Sequence, residues 1–381
     1  MQLDLSADQE LFRETTERFI ETELPLSATR ALHDDPVGYD RTWLRKSAEL
    51  GWFAMLVPED DGGGSVSGAG LLDAVIVSEE LGRHVQPGPF IPMNVVAGAL
   101  AALGTDAQRA DLLPAIVAGD VVATWAPADT RGNWDLGGGL AVRRSGSSVV
   151  LNGSRGFVQD AVSADWLLVA ATADDGAVQV LVPAGVPGVR VRPLTCLDLS
   201  RRLAEVEFDG VTLGDDAIVG TPGPVAAAAI ESQLLTAMVL TCADTIGAID
   251  ALFSMTVAYS KDRIAFGRPV GSFQALKHVM ADQALYLETC KAGAAAAAKA
   301  VSAGSDDATE VASMVSAYVG DIASEIGQEC LQVHGGIGYT WEHDLHLLLR
   351  RVRSNSALYG EPTWHRERVC AFYALGQGGA R

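Results

Sequence analysis

The chain has 381 residues, is 48% hydrophobic and 20% charged, and carries a formal net charge of −20 with a pI near 4.6. This composition excludes a disordered chain, the length exceeds one ordinary core, and the acidic field repels nucleic acid and anionic membrane, so neither is an expected partner. The five cysteines (Cys196, Cys242, Cys290, Cys330, Cys370) have no C-x-x-C spacing and the start Met-Gln-Leu-Asp-Leu-Ser has no basic region, which predicts reduced thiols, no signal peptide and a cytoplasmic location.

Residues 1–120 read as helices. Ser6 with Gln9 forms a capping box opening a helix with Leu11, Phe12, Thr15 and Phe19 along it. Trp43 to Leu50 is a second helix closed by Gly51, and Pro58 to Gly64 is a loop. Leu71 to Leu81 is a third helix, and Asp106 opens another that ends near Ala118-Gly119. The period changes at about Val121. Valine-rich, period-two segments start at Ser148, Trp166, Val178, Val189 and Ala204, and Asn152-Gly153, Pro187-Gly188 and Asp209-Gly210 read as turns. That pattern predicts an antiparallel β domain over 121–222. From 223 to 381 the pattern is helical and alanine-rich. The apolar stretches 223–255 and 290–303 are broken by polar residues and read as buried helices, not membrane spans. The predicted fold class is α+β: a helical domain (1–120), a β domain (121–222) and a helical bundle (223–381).

Two segments of the last zone carry the sharpest signal. One is Cys330-Leu-Gln332-Val-His-Gly335-Gly336-Ile-Gly-Tyr-Thr340, and the other is Arg263-Ile-Ala-Phe266-Gly-Arg-Pro-Val270 followed by Phe273-Gln274. Paired glycines let a backbone approach a ligand closely, although a Gly-Gly after a helix is commonly just its C-cap. An arginine offers paired donors to pyrophosphate, although a lone one defaults to a surface ion pair. Together the two segments resemble the C-terminal helical domain of the acyl-CoA dehydrogenase flavoproteins, and the helix–sheet–helix order extends the resemblance over nearly the whole chain. The resemblance implies a C-terminal four-helix bundle. It also implies FAD held by Arg263, Phe266, Gln274, Gln332, Gly335 and Gly336 across a subunit interface.

The family oxidises an acyl-CoA at Cα–Cβ: a carboxylate removes the Cα proton while a hydride leaves Cβ for the flavin. The family's Tyr-Glu-Gly-Thr pattern is met here by Leu358-Tyr359-Gly360-Glu361-Pro362-Thr363. That puts Gly360 at the base position and makes Glu361 the candidate catalytic base, one residue late; the other reading of Glu361 is a solvated loop carboxylate. In branches that carry the base on the long helix after the sheet, the resemblance puts Ala237 at the base position and Met238 where many members have a substrate-contacting arginine, with Glu231 about two turns earlier. The family segment at the first strand is met by Trp125 to Asp135, which keeps Asp129 and Asp135. Its Trp-x-Thr is met by Phe157-Val158-Gln159, where Phe157 stacks on the flavin or serves as core and Gln159 hydrogen-bonds it.

Other charged clusters have duller readings. Asp198-Leu-Ser-Arg201-Arg202 is a turn with a solvated basic pair or a phosphate contact, and Arg350-Arg351-Val-Arg353 packs or pairs with nearby acids. His343 and His346 lack a third ligand of the right type, so no metal is expected. The leading reading is an FAD-dependent acyl-CoA dehydrogenase. Its implied partners are an acyl-CoA, an electron-transfer flavoprotein or similar acceptor, and further subunits in a homo- or hetero-oligomer. One alternative is a half-site partner chain of a heteromeric dehydrogenase of the sterol-degrading type. Another is a flavin monooxygenase or nitroalkane oxidase on the same fold.

Overall fold

The computed structural model describes residues 5–134 and 139–373; Asp135 lies outside them. The first layer is helical: α1 (Ala7–Glu23), α2 (Leu26–Ala31), α3 (Arg41–Glu49), α4 (Gly70–Arg83), α5 (Phe90–Leu103) and α6 (Asp106–Val117). The Ser6–Gln9 capping box forms as predicted, and Thr105 with Gln108 makes a second one at α6. α5 carries no amphipathic period, because it is buried on nearly every side.

The sheet comprises β1 (Ala123–Ala126), β2 (Leu140–Ser145), β3 (Ser148–Gln159), β4 (Trp166–Ala173), β5 (Gly176–Pro183), β6 (Val189–Pro193), β7 (Leu203–Gly214) and β8 (Ile218–Val219). Its order is β6-β7-β3-β2-β4-β5-β8, with β1 beside β4. Most pairs are antiparallel, but β1 runs parallel to β4 over four residues and β2 meets β4 in parallel at Ala141–Thr172. The sheet is therefore mixed. Asn152-Gly153 and Asp209-Gly210 do not end strands. They lie opposite each other within the β3–β7 ladder as a bulge, where the Gly210 N–H donates to Asn152 Oδ1 at 2.9 Å.

The third layer is α7 (Pro224–Asp262), a two-residue hairpin of β9 (Ile264–Ala265) and β10 (Arg268–Pro269), α8 (Gln274–Ala303), α9 (Ala308–His334), α10 (Leu345–Asn355) and α11 (Pro362–Phe372). This is five helices; α7, α8 and α9 pack alongside one another, α11 packs on α9, and α10 braces α7 and α9. By length and composition α7 is long and apolar enough to cross a membrane, but 61% of its most apolar window is buried inside the protein. It crosses α4 at backbone contact: a Cβ on Gly82 would lie 1.8 Å from the Asp244 carbonyl oxygen, and one on Gly247 would lie 1.8 Å from that of Glu79. Larger residues would force the two helices apart.

Where the three layers meet, a buried polar hub closes. Arg351 on α10 is 1% exposed. Its Nε donates to Asp198 Oδ2 at 2.6 Å, its Nη1 to Asp244 Oδ2 at 2.9 Å, and its Nη2 to the Gln86 carbonyl at 2.7 Å and to Ser200 Oγ at 2.6 Å. Arg201 donates to Asn355 Oδ1 and lies 3.2 Å from Asp244 Oδ1. Arg201 is therefore no solvated turn residue; desolvated charge is tolerable here because each of these carboxylates and guanidinium groups is paired and hydrogen-bonded. Burial works against the charge on Asp198, yet Arg351 and Arg201 outweigh it and hold its carboxyl below the ordinary carboxylate range.

Candidate active site

A cleft of about 870 Å³ opens between the sheet and the C-terminal helices. One wall is the β1–β2 connection from Thr130 to Trp134 together with Gly156 and Phe157 of β3. Asp129 builds that wall as a turn residue: its Oδ1 accepts from the Arg131 N–H at 2.8 Å and the Asn133 N–H at 3.0 Å. Phe157 is half-buried with φ +54°, a conformation uncommon outside glycine, and its ring lines the cleft. The other wall is Arg353, Ser354, Ala357, Leu358, Glu361 and Trp364.

The segment carrying Glu361 is tightly specified. Tyr359 is buried with φ +59°, stacked on Trp125 with centroids 6.0 Å apart and tilted against Trp134 at 4.9 Å. Burial pushes its phenol above the ordinary range. Gly360 has φ +118°, and a Cβ there would fall 2.4 Å from Trp364 Cε3 and 2.9 Å from His365 Nε2. The position matched to the family's base thus aims into packed rings, and this backbone has no room for a carboxylate there. The next residue, Glu361, precedes α11 in extended conformation, makes no capping hydrogen bond, and presents an exposed side chain to the cleft. Gly360→Ala is expected to cost about 1–3 kcal/mol through strain at this turn, read as a lowered denaturant midpoint.

Gln159 is buried, its Nε2 3.5 Å from the Gly88 carbonyl and its Oε1 without a hydrogen-bond partner; it is not among the cleft-lining residues. Ala237 and Met238 are buried in α7, and Glu231 pairs with Arg368 of α11. His343 and His346 do not share a helix, since α10 begins at Leu345; His343 Nδ1 accepts from the Leu345 N–H and His346 stacks on Trp341.

The second group of predicted residues lies elsewhere on the surface. Arg263 caps α7, Phe266 (φ +53°, 95% exposed) tips the β9–β10 hairpin, and Gln274 opens α8. Gln332 is on the last turn of α9, and Gly335 and Gly336 begin the 3₁₀ turn after it, where a Cβ on either would meet nothing within 4 Å. Tyr259 links the two segments: its ring stacks on His334 at 4.4 Å and its hydroxyl donates to the His334 carbonyl at 3.4 Å. None of these six residues is in the cleft lining. They share an exposed ridge with Ile264, Ile337 and Tyr339, and Ser272 Oγ and His334 Nε2 are buried there without hydrogen-bond partners.

Sequence reasoning missed the basic lining of the cleft: Arg131, Arg192 and Arg353. Arg192 engages Glu205, whereas Arg131 and Arg353 make no ion pair among the described residues. The signal was in helical spacing. At 100° per residue, positions 351 and 353 face opposite ways, so one arginine enters the hub and the other the cleft.

Comparison with known proteins identifies the family and the fold. Residues 6–120 match the model of the acyl-CoA dehydrogenase N-terminal domain and residues 227–373 that of the C-terminal domain. The acyl-CoA dehydrogenase IpdE2 of Mycolicibacterium smegmatis is 30% identical over 94% of this chain and 96% of its own length. The crystal structure of the ChsE4-ChsE5 complex from Mycobacterium tuberculosis superposes with a TM-score of 0.89 at 25% identity, over 98% of this chain and 99% of the matched one. A glutaryl-CoA dehydrogenase from Mycobacterium smegmatis in complex with FADH2 shares the fold, with a TM-score of 0.86 at 20% identity over 99% and 97%.

Proposed function

Because the chain belongs to the acyl-CoA dehydrogenase family of oxidoreductases, we propose that it carries out FAD-dependent α,β-dehydrogenation of an acyl-CoA thioester, with Glu361 taking the Cα proton. The observation that carries this reading is that Phe157 and Glu361, far apart in sequence, line one cleft. Its volume suits a ligand of cofactor or thioester size. Arg131 and Arg353, which make no ion pair among the described residues, bring positive charge to the cleft in a chain of net charge −20, while Arg192 is paired with Glu205.

The residues present fit FAD. Phe157 offers an aromatic face, and the exposed ridge offers Arg263 and two open glycines to a ligand shared with another subunit. When bound, FAD supplies the acceptor for the hydride from Cβ. The chain's own part is to hold the thioester in the cleft, to exclude water with Trp134, Leu358 and Trp364, and to place the Glu361 carboxylate at the Cα proton. An electron-transfer flavoprotein or similar acceptor completes the cycle.

A second reading is a partner subunit in a heteromeric dehydrogenase. It is favoured by Gln159 lying outside the cleft. Spectroscopy separates the two. The purified chain is expected to be yellow and to bleach with an acyl-CoA; colour or bleaching that arises only after addition of a related chain supports the second reading. Arg263→Ala is expected to weaken flavin binding by about 1–3 kcal/mol, and unchanged FAD affinity would remove the ridge from the cofactor site.

A further inference from the structure

Beneath the Gly360–Glu361 peptide lies a histidine that the proposed chemistry has not used. His365, 2% exposed, stands on the first turn of α11 with its imidazole facing the Gly360 carbonyl. Nε2 is the nitrogen turned towards Gly360, 2.9 Å from where a Cβ on that residue would sit. Nδ1 is buried without a hydrogen-bond partner and borders a small cavity of about 20 Å³ between α7, α9, α10 and α11. Thr241 Oγ1, likewise unpartnered, borders the same cavity. Leu358 lines both this cavity and the large cleft, so the Leu358–Glu361 turn is the partition between them.

The surroundings hold the ring still. Trp364, on the cleft side, meets His365 edge-to-face at 5.0 Å, and Arg368 lies over Trp364 at 4.7 Å while paired with Glu231. Pro362 packs on α9 at Gly320, where a Cβ would lie 2.9 Å from Pro362 Cγ. The imidazole is therefore the polar group placed to fix the orientation of the Gly360 peptide, and that peptide sets the direction in which Glu361 leaves the turn.

We propose that His365 is a positioning residue, donating Nε2–H to the Gly360 carbonyl and thereby aiming Glu361 into the cleft. This rests on Glu361 being the base. Burial, reinforced by the Arg368 cation, pushes the imidazole down to about 4, so it is a neutral donor at neutral pH. The other titratable group bordering the cavity, the Cys242 thiol, is pushed by burial up to about 11 and stays uncharged. A neutral imidazole carries one N–H, and the geometry assigns it to Nε2.

The test uses the FAD-loaded protein, in whichever assembly bleaches with acyl-CoA, and compares His365→Phe with His365→Gln. Phe keeps ring volume and loses the donor; Gln keeps an N–H able to reach the same carbonyl. His365→Phe is expected to lower kcat by ~10- to 100-fold with KM and flavin content little changed, the scale of loss expected when a reacting group is misplaced by about 1 Å. His365→Gln is expected to recover most of it. Independently, ¹⁵N-histidine NMR of the unmutated protein is expected to show His365 neutral and protonated at Nε2 at pH 7. Full kcat in His365→Phe, failure of Gln to recover activity, or an Nδ1–H or charged imidazole at pH 7 overturns the proposal. Glu361→Gln, run beside them, separates the failures: an active Glu361→Gln overturns the base itself, whereas a dead Glu361→Gln with an active His365→Phe overturns only the positioning role.

Discussion

Glu361→Gln is expected to lower turnover by about 10²- to 10⁴-fold, the usual contribution of a positioned general base. The amide has nearly the shape of the carboxylate but cannot accept the Cα proton. Because Glu361 makes no capping hydrogen bond and its side chain is exposed at the cleft, the substitution leaves α11 and the Tyr359 stack untouched. Stability, flavin content and acyl-CoA affinity should therefore stay close to those of the unmutated protein, while substrate no longer bleaches the flavin. Exchange of the Cα proton with deuterated water, followed by mass spectrometry, checks the same step without relying on the electron acceptor. Unchanged exchange and turnover would show that Glu361 is a bystander.

The largest effect on stability is expected at the hub. Arg351→Ala removes four hydrogen bonds and leaves the Asp198 and Asp244 carboxylates buried with only Arg201 to answer them. Breaking a buried ion network from one side typically costs about 3–5 kcal/mol, a large part of the ~5–15 kcal/mol that holds a typical protein folded. Arg351→Lys should restore only part of it, since one ammonium cannot reproduce the guanidinium's separate bonds to Asp198, Asp244, Ser200 and the Gln86 carbonyl. Urea midpoints of the two variants check both statements. A loss below 1 kcal/mol in Arg351→Ala would mean that water reaches the hub.

Much of the fold was legible because its signals are local. The Ser6–Gln9 box, the period-two valines and the long alanine-rich helices each name their structure within a few residues. The bulge was not legible, because Asn152-Gly153 and Asp209-Gly210 look like hairpin turns until each is seen to oppose the other. β1 carries no period of its own, because four residues in a buried run show none, and only the family segment at Trp125 marked a strand there. At the site, motif matching singled out Glu361 and Phe157 as candidates, but not that they line one cleft. It gave no hint that Gly360 faces packed rings, because that depends on the φ of one residue. Arg351, Arg353 and Arg201 were indistinguishable as charges; only the packing of three layers sends two of them inside.

The hub also fixes an order of events during synthesis. Arg351 bonds the carbonyl of Gln86, 265 positions earlier. A ribosome releases the helical layer, the sheet and α7 before it makes residue 351, so for most of translation the nascent chain holds the acidic half of the joint with no Arg351 to close it. Those carboxylates favour water over burial in the meantime, which keeps the layers loosely docked until α10 emerges. The joint is therefore expected to close late: a chain that stops short of residue 351 has Arg201 beside Asp198 and Asp244 but lacks the guanidinium that ties them to Ser200 and the Gln86 carbonyl.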